Sequence, residues 1–231
     1  MTVSSSIDAA LKSLRKHYGD GALPEPREPF ALIVWENAAY LVGDDVRSSV
    51  FSQLRKAVGV TPAAILAAPS ALLQQAIRQG GMQVARRAEK VARCAQIAID
   101  RAGGNLKRAL QGLTPDKSRA LLRLFPGVGE PGADKVLLLC GLSDSPALDS
   151  NGLRVLTRLG FIGEDKSYSR TYRAGVAFLA ASGVTGKKAT TAFALLREHG
   201  RELCKRTTPS CALCPLQRRC EYAAMRTLRR R

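Results

Sequence analysis

The sequence predicts an all-α protein. Apolar residues recur at a helical period within residues 82–102, and the glycines from Gly103 onward act as a stop signal. Thr61 and Thr114 each place a capping hydroxyl immediately before a proline, which is a helix-start signature. No stretch shows the period-2 alternation of a half-buried strand, and no repeat of solenoid length occurs.

Further helices are predicted in chain order from periodicity and punctuation. The run from Phe30 to Val42 is apolar nearly all round, which fits a buried helix better than a strand. Ser70 is predicted to cap a short helix that ends at Gly80. A proline-rich stretch separates the first two helices and is predicted to be a linker. The other predicted helices span residues 5–18, 132–140, 150–159, 168–181 and 187–203.

Charge is the strongest global property of the chain. The 231 residues include 36 Lys and Arg against 19 Asp and Glu, a net charge of +17. This excess favours polyanion binding over a merely solubilising surface, and no apolar run is long enough to span a bilayer. The N-terminal segment lacks the features of a signal peptide, so we expect a cytoplasmic protein that does not bind membranes. Small groups of cations along the chain predict a folded basic face: Arg86, Arg87, Lys90 and Arg93; Lys187 and Lys188; Arg218 and Arg219.

Four of the six cysteines crowd into one short segment with the spacing C-x6-C-x2-C-x5-C: Cys204, Cys211, Cys214 and Cys220. Disulfides are disfavoured in a cytoplasmic protein, so the cluster predicts a metal site. Spacing alone leaves zinc and a [4Fe–4S] cluster equally open. Cys94 and Cys140 lie in apolar helical runs and are predicted to be buried core thiols.

Three ordered motifs carry a resemblance to a known family. The cysteine loop follows "LREHGRELC", a turn reads "FPGVG" at residues 125–129, and "ALDSNGLRV" follows at residues 147–155. Together they resemble the iron–sulfur loop, the helix-hairpin-helix and the Val-Asp-Thr-His segment of the endonuclease III group of DNA glycosylases. A weaker similarity runs through residues 77–98.

The resemblance implies two helical lobes on either side of a DNA-binding cleft. A helical-barrel domain would cover residues 29–143, with the helix-hairpin-helix at about 115–140. Residues 1–28 and 144–231 would form an iron–sulfur cluster domain. The four clustered cysteines would hold a [4Fe–4S] cluster, and the protein would act as a monomer.

The resemblance also implies how the protein engages double-stranded DNA that contains a lesion or mismatch. Gly127, Val128 and Gly129 would present backbone N–H groups to a phosphate, although an ordinary helix–helix turn is the alternative. Cations beside the cysteines would contact further phosphates: Lys205, Arg206, Arg218 and Arg219.

Asp149 matches the aspartate that is catalytic in the family. A carboxylate there can stabilise positive charge on the sugar as the N-glycosidic bond breaks, or activate water. An aspartate before "SNGLRV" can equally be a helix N-cap. Asn151 stands where the family usually has histidine.

The hairpin departs from the family at the position of its catalytic lysine. Bifunctional members carry a lysine just after Gly-Val-Gly, which attacks the sugar as a Schiff-base nucleophile. Pro131 occupies that position here, so we expect the lyase step to be lost. Lys135 lies one helical turn later and is the possible substitute nucleophile.

The base pocket is expected on the segment "WENAAYLV", where the family usually has Ser-Ala-Gln-Ala-Thr-Asp. Its candidate base-contacting residues are Trp35, Glu36, Asn37 and Tyr40. Trp35 and Tyr40 can equally be core residues, whereas Glu36 and Asn37 would be costly to bury unpaired. The departure indicates a base other than the family's oxidised pyrimidines.

The sequence therefore predicts a base-excision-repair DNA N-glycosylase, a hydrolase that flips its target base and lacks lysine-dependent AP lyase activity. Two alternatives stay open. One is a bifunctional glycosylase that uses Lys135, and the other is a non-catalytic iron–sulfur protein that binds or senses lesions. The expected site of action is the cytoplasm, at the nucleoid if the source is bacterial.

Overall fold

The computed structural model describes residues 3–24 and 26–228. It divides into two compact units. The central unit is Pro24–Leu142, and the terminal unit combines the described residues of Met1–Leu23 and Ser143–Arg231. Within the described residues there is no strand, so the all-α prediction is confirmed. Among those residues, no helix is long and apolar enough to cross a membrane. The assignment of residues 29–143 to a helical-barrel domain stays a prediction. The same holds for the iron–sulfur cluster domain of residues 1–28 and 144–231.

The central unit is built around one buried helix. Its helices are α2 (Pro29–Asn37), α3 (Asp44–Ala57), α4 (Pro62–Ala67), α5 (Ser70–Ala76), α6 (Val84–Ala102), α7 (Leu106–Gln111), α8 (Pro115–Leu122) and α9 (Glu130–Leu139). In α2 every residue except Glu36 is buried, as expected for a helix that is apolar all round. Helices α3, α6, α7 and α9 pack against α2. Glu36 is therefore the one side chain of this helix that reaches beyond the core.

Helix α2 is shorter than predicted. The sequence predicts a helix that runs to Val42, but α2 ends at Asn37. Beyond it, the Tyr40 N–H donates to the Gly80 carbonyl at 2.7 Å, and Leu41 adopts a left-handed backbone with φ of +57°. The prediction was wrong because this pairing is made with a segment 40 residues away, which periodicity cannot reveal.

The capping predictions have mixed outcomes. Thr61 Oγ1 accepts a hydrogen bond from the Ala64 N–H at 3.2 Å, and Thr114 Oγ1 accepts one from Lys117 at 3.5 Å, so both predicted caps are confirmed. The cap predicted at Ser70 was wrong. Pro69 is the N-cap of α5, and Ser70 instead accepts from the Gln74 side chain.

The terminal unit centres on the packing of α10 against α12. Its helices are α1 (Val3–Tyr18), α10 (Ser150–Leu159), α11 (Tyr168–Ala181), α12 (Gly186–Glu202) and α13 (Glu221–Leu228), with short 3-10 turns at Cys211–Leu213 and Gln217–Arg219. A Cβ added at Gly200 would lie 2.7 Å from both the Cβ and the carbonyl oxygen of Asn151. Gly200 therefore allows α12 to approach the first turn of α10.

Candidate active site and DNA interface

The turn between α8 and α9 is held from inside the central unit. Gly127 has φ of +77°, a left-handed conformation that favours glycine, and an added Cβ would lie 3.1 Å from Asn37 Oδ1. Asn37 donates from Nδ2 to the Pro126 carbonyl and to the Ile33 carbonyl, each at 3.0 Å. The predicted hairpin is thus a fixed turn, and Asn37 is one of the residues that fixes it.

An ion pair braces the two helices of this hairpin. Arg119 Nε donates to Asp134 Oδ1 at 2.6 Å, which joins α8 to the buried face of α9. The hydrogen bond to Asp134 is also the largest factor that raises the pKa of Arg119. The brace fixes the orientation of α9 relative to α8.

Lys135 and Glu36, two residues singled out from the sequence, lie in contact. Pro131 occupies the first turn of α9, where it offers neither an amine nor an N–H. Lys135 Nζ donates to Glu36 Oε1 at 2.5 Å, and the two side chains are 16% and 35% exposed. The Lys135 amine is therefore engaged by a carboxylate from α2.

The other candidate pocket residues differ in exposure. Trp35 is buried, and its indole N–H donates to Ser48 Oγ at 3.4 Å, so it packs in the core of the central unit. Asn37 is buried as well and holds the hairpin turn. Tyr40 is half exposed. Of the four candidates, Glu36 and Tyr40 are the two whose side chains are not buried.

Asp149 is the N-cap of α10 in the terminal unit. Its Oδ1 accepts from the backbone N–H groups of Asn151 and Gly152 at 3.0 and 2.8 Å. Its Oδ2 accepts from Asn151 Nδ2 at 3.1 Å and lies 3.4 Å from Arg197 Nε. The capping alternative is therefore observed, and the same contacts hold the carboxylate in one orientation.

A broad groove of about 1150 Å³ begins beside Asp149. Residues that line it include Asn151, Arg154, Tyr168, Arg201, Lys205 and Arg206. Burial, followed by the charge of Asp149, raises the pKa of the Tyr168 phenol, so this tyrosine lies within electrostatic reach of the carboxylate. Lys205, Arg206, Arg218 and Arg219 are exposed, as phosphate contacts require.

The four clustered cysteines line one pocket. Cys214 Sγ accepts from the Leu216 N–H at 3.4 Å, and Cys204 Sγ accepts from Arg158 Nη1 at 3.3 Å. Burial raises the pKa of Cys214 to about 11, so this thiol keeps its proton until a metal displaces it. As placed, no group of three or more His, Cys, Asp or Glu side chains among the described residues has the geometry to hold a metal ion. The donor set nevertheless fits a thiolate-bound cluster, because four thiols face one pocket and N–H donors reach their sulfurs.

Comparison with known proteins decides the family. Residues 43–179 match the HhH-GPD superfamily of base excision DNA repair proteins, which is more than half of the chain. The chain belongs to the HhH-GPD superfamily. Endonuclease III of Sulfolobus acidocaldarius is 29% identical over 173 residues, which is 74% of this chain and 72% of that protein.

Solved structures of endonuclease III share the fold. A non-covalent endonuclease III–DNA complex superposes with a TM-score of 0.77 at 24% identity, covering 99% of this chain and 100% of that chain. A trapped endonuclease III–DNA covalent intermediate has a TM-score of 0.76 at 25% identity, covering 98% and 100%. The resemblance drawn from the motifs is confirmed.

Membership of the HhH-GPD superfamily identifies the chain as a base-excision DNA glycosylase. The non-catalytic alternative is thereby disfavoured. The matched residues 43–179 include the hairpin, Lys135 and Asp149, whereas the cysteine loop and the α2 candidates lie outside them.

Sequence reasoning missed an exposed apolar pair in this HhH-GPD protein. Leu41 is 75% exposed and Met82 is 62% exposed, and we call these two side chains the apolar tip. Their loops meet at the bridge between Tyr40 and Gly81, and the residue after Met82, Gln83, also has a left-handed backbone, with φ of +58°. Non-glycine residues in this conformation are uncommon and cluster at functional sites.

Arg87 holds the two loops of the apolar tip together. The sequence predicts that Arg87 belongs to the basic face, but it is buried, so that prediction was wrong. Its guanidinium donates to the Ala38 carbonyl at 2.5 Å, to Ile77 at 2.7 Å and to Gly81 at 2.7 Å. A guanidinium can satisfy several carbonyls at once, and this explains how a charge is accommodated in the core.

Proposed function

We propose that this protein is a monofunctional DNA N-glycosylase that releases a damaged or mispaired base from duplex DNA, with Asp149 as its catalytic residue. The observation that carries the proposal is the hairpin chemistry. Pro131 stands at the position of the lyase lysine, and the nearest alternative amine, that of Lys135, is bound to Glu36. The similar endonuclease III structures include complexes with DNA.

Contact with DNA is proposed through backbone and side-chain groups that read no sequence. The N-terminus of α9 is the proposed phosphate contact, because the macrodipole of this 10-residue helix favours an anion there. Exposed cations beside the cysteine loop and the net charge of +17 add long-range attraction. Duplex DNA of any sequence is therefore the expected ligand, with selectivity left to the lesion.

Extrusion of the target base is proposed to use the apolar tip. An enzyme that acts at the glycosidic carbon must take the nucleotide out of the stack. Apolar side chains that enter the stack compensate for the lost base contacts. Leu41 and Met82 are suited to this because they are exposed on loops that Arg87 makes rigid. Glu36 and Tyr40 are the proposed contacts to the extruded base.

Asp149 is proposed to act on the sugar. The bond between C1′ and the base nitrogen breaks, and its electron pair leaves with the base, which takes up a proton from solvent. The Asp149 carboxylate stabilises the developing positive charge on the sugar and accepts a proton from the water that adds to C1′. The products are free base and an abasic site in an intact strand.

The four clustered cysteines are proposed to hold a [4Fe–4S] cluster. When bound, the cluster would supply a structural centre that fixes the loop from Cys204 to Cys220. Lys205, Arg206, Arg218 and Arg219 would then be presented to the phosphates in one arrangement. Iron and sulfide content of the purified protein tests this, and zinc in place of iron would contradict it.

A panel of duplexes that each carry one lesion or mismatch tests the function. We expect the wild-type protein to release free base from at least one duplex, with strand breaks appearing only after alkali. Asp149→Asn should reduce base release by about 10²- to 10³-fold, the usual cost of removing one preorganised electrostatic group from an active site. Thr191→Ala, which removes a hydroxyl that donates to the Lys187 carbonyl outside the groove, is the control. Wild-type rates in the Asp149 variant would overturn the assignment.

A further inference from the structure

His199 lines the cysteine pocket together with the four clustered cysteines. It lies on α12 and is 2% exposed. Its Nε2 atom lies 3.5 Å from Cys214 Sγ, which is within hydrogen-bond range for a contact that involves sulfur. A buried imidazole carries a desolvation cost unless its nitrogens find partners, so the contact with sulfur is part of what holds His199 in place.

Tyr18 is the partner of the other ring nitrogen. Its hydroxyl lies 3.1 Å from His199 Nδ1, and the two rings meet edge to face with their centroids 5.9 Å apart. Burial is the largest factor that raises the pKa of Tyr18, so the phenol keeps its proton and is able to donate. Both nitrogens of His199 therefore have a partner, one on α1 and one in the cysteine loop.

The chemistry of a metal-bound thiolate decides which ring nitrogen carries the proton. A protonated thiol can donate or accept a hydrogen bond, whereas a metal-bound thiolate only accepts. His199 Nε2 must therefore donate to Cys214 when a metal is bound. A neutral imidazole has one ring N–H, so Nδ1 is then an acceptor and takes the hydrogen bond of the Tyr18 hydroxyl. Donation thus runs from Tyr18 through His199 to Cys214.

The position of the Tyr18 hydroxyl is set by the packing of α1 against α12. Tyr18 is the last residue of α1, and these two helices are in contact. Just beyond it, the Ala22 N–H donates to Glu198 Oε2 at 2.9 Å. A Cβ added at Gly21 would lie 2.9 Å from the Cβ of Ala194, so the chain that leaves α1 runs close along α12.

We propose that His199 and Tyr18 are positioning residues for Cys214, in which the imidazole donates to the sulfur and the phenol fixes the tautomer that does so. The proposal rests on the proposed [4Fe–4S] cluster. Hydrogen bonds to a ligating sulfur stabilise the more negative, reduced state of a cluster and so raise its reduction potential. They also hold the ligand in place. The N-terminal helix α1 thereby supports a metal ligand near the other end of the chain.

The test uses the full-length, iron-loaded protein and the variants Tyr18→Phe, His199→Leu and His199→Gln. Tyr18→Phe removes one hydroxyl, His199→Leu removes both ring nitrogens, and His199→Gln keeps an N–H that can donate to Cys214. His17→Gln is the matched control, because His17 is exposed beside Tyr18 and does not line the cysteine pocket. Two quantities are measured without DNA: the reduction potential, by voltammetry, and the rate at which a ferrous-iron chelator removes iron.

We expect iron to leave His199→Leu about 10- to 100-fold faster than wild type, the range usual for loss of a partner of a metal ligand. The reduction potential of this variant should be more negative than that of wild type. Tyr18→Phe should change both quantities in the same direction but by less, because the imidazole stays. His199→Gln should lie closer to wild type than His199→Leu does, the reverse of the order expected for a residue that only packs in an apolar core. His17→Gln should match wild type.

Wild-type values of both quantities in His199→Leu would overturn the proposal, as would a glutamine variant that loses iron as fast as the leucine variant. If His199→Leu does not fold, Tyr18→Phe tests the same contact with the loss of a single oxygen, and no change in either quantity then overturns the proposal. Wild-type protein that purifies without iron and sulfide would contradict the proposed cluster itself. Iron-loaded wild type with unaffected variants would contradict this inference alone.

Discussion

Asn37 is a polar residue in the buried interior of the central unit, where its amide nitrogen donates to two backbone carbonyls. One of these carbonyls, that of Pro126, belongs to the hairpin turn. A buried polar group without a partner carries a large desolvation cost, so the pairing stabilises both the fold and the turn. Its role in the structure is support of the hairpin from α2.

Replacing Asn37 with alanine should lower the free energy of unfolding by about 1–3 kcal/mol, because the Pro126 and Ile33 carbonyls lose a buried donor. Chemical denaturation measures the loss, and duplex binding should weaken with it. Gln74→Ala, which removes an exposed amide bonded to Ser70, serves as the control and should change stability by less than about 0.5 kcal/mol. Equal stability of the two variants would contradict this role for Asn37.

Cys94 gives the protein a pH dependence of stability at alkaline pH. Burial raises the pKa of this thiol from 9.0 to about 12. Between these values the unfolded chain loses the proton while the folded protein keeps it, so the unfolded state binds fewer protons and stability falls as pH rises. From pH 8 to pH 10, wild type should lose about 1.4 kcal/mol more than Cys94→Ala. Parallel pH profiles of unfolding free energy for the two proteins would refute this.

The residue-level predictions succeeded where the chemistry is local and failed where it depends on distant partners. The Thr61 and Thr114 caps follow from adjacent residues and are confirmed. Arg87 looks like surface charge in the sequence, because the carbonyls that bury it come from loops brought together only by folding. The ion pair of Glu36 with Lys135 joins residues 99 apart and has no local signal.

Among the elements, α10 and α11 were predicted with their observed bounds, 150–159 and 168–181. Both are amphipathic helices with one buried face, the pattern that periodicity detects well. Helix α2 was predicted too long because an apolar run reveals burial but not the point at which the chain leaves the helix. The apolar tip that follows α2 was missed for the same reason.

The approach of α12 to α10 depends on Gly200. A methyl group there would lie 2.7 Å from the Asn151 backbone and force the helices apart. Gly200→Ala should therefore lower the free energy of unfolding by about 1–3 kcal/mol and slow base release, since Asn151 would be displaced. Gly163→Ala is the control, because nothing lies within 4 Å of a Cβ at that position. Unchanged stability and activity in Gly200→Ala would show that the approach of α12 to α10 does not require glycine at this position.

The whole molecule carries a net charge of +17, which predicts strongly salt-dependent DNA binding. The double variant Lys205→Ala with Arg206→Ala should make the slope of log K against log salt shallower by about 2, if each cation neutralises one phosphate. Lys188→Ala with Arg15→Ala is the matched control, because these cations pair with Asp8 and Asp20 at 2.7 and 2.5 Å. A similar change of slope in both double variants would indicate net charge alone, without specific contacts.

We propose that this HhH-GPD protein breaks the N-glycosidic bond by hydrolysis and forms no covalent bond to DNA. Borohydride trapping during reaction with a duplex from which the protein releases base measures this most directly. With Pro131 in the hairpin and Lys135 held by Glu36, we expect free base, an intact strand in neutral buffer and no trapped protein–DNA adduct. A trapped adduct that is present in wild type and absent in Lys135→Met would contradict it.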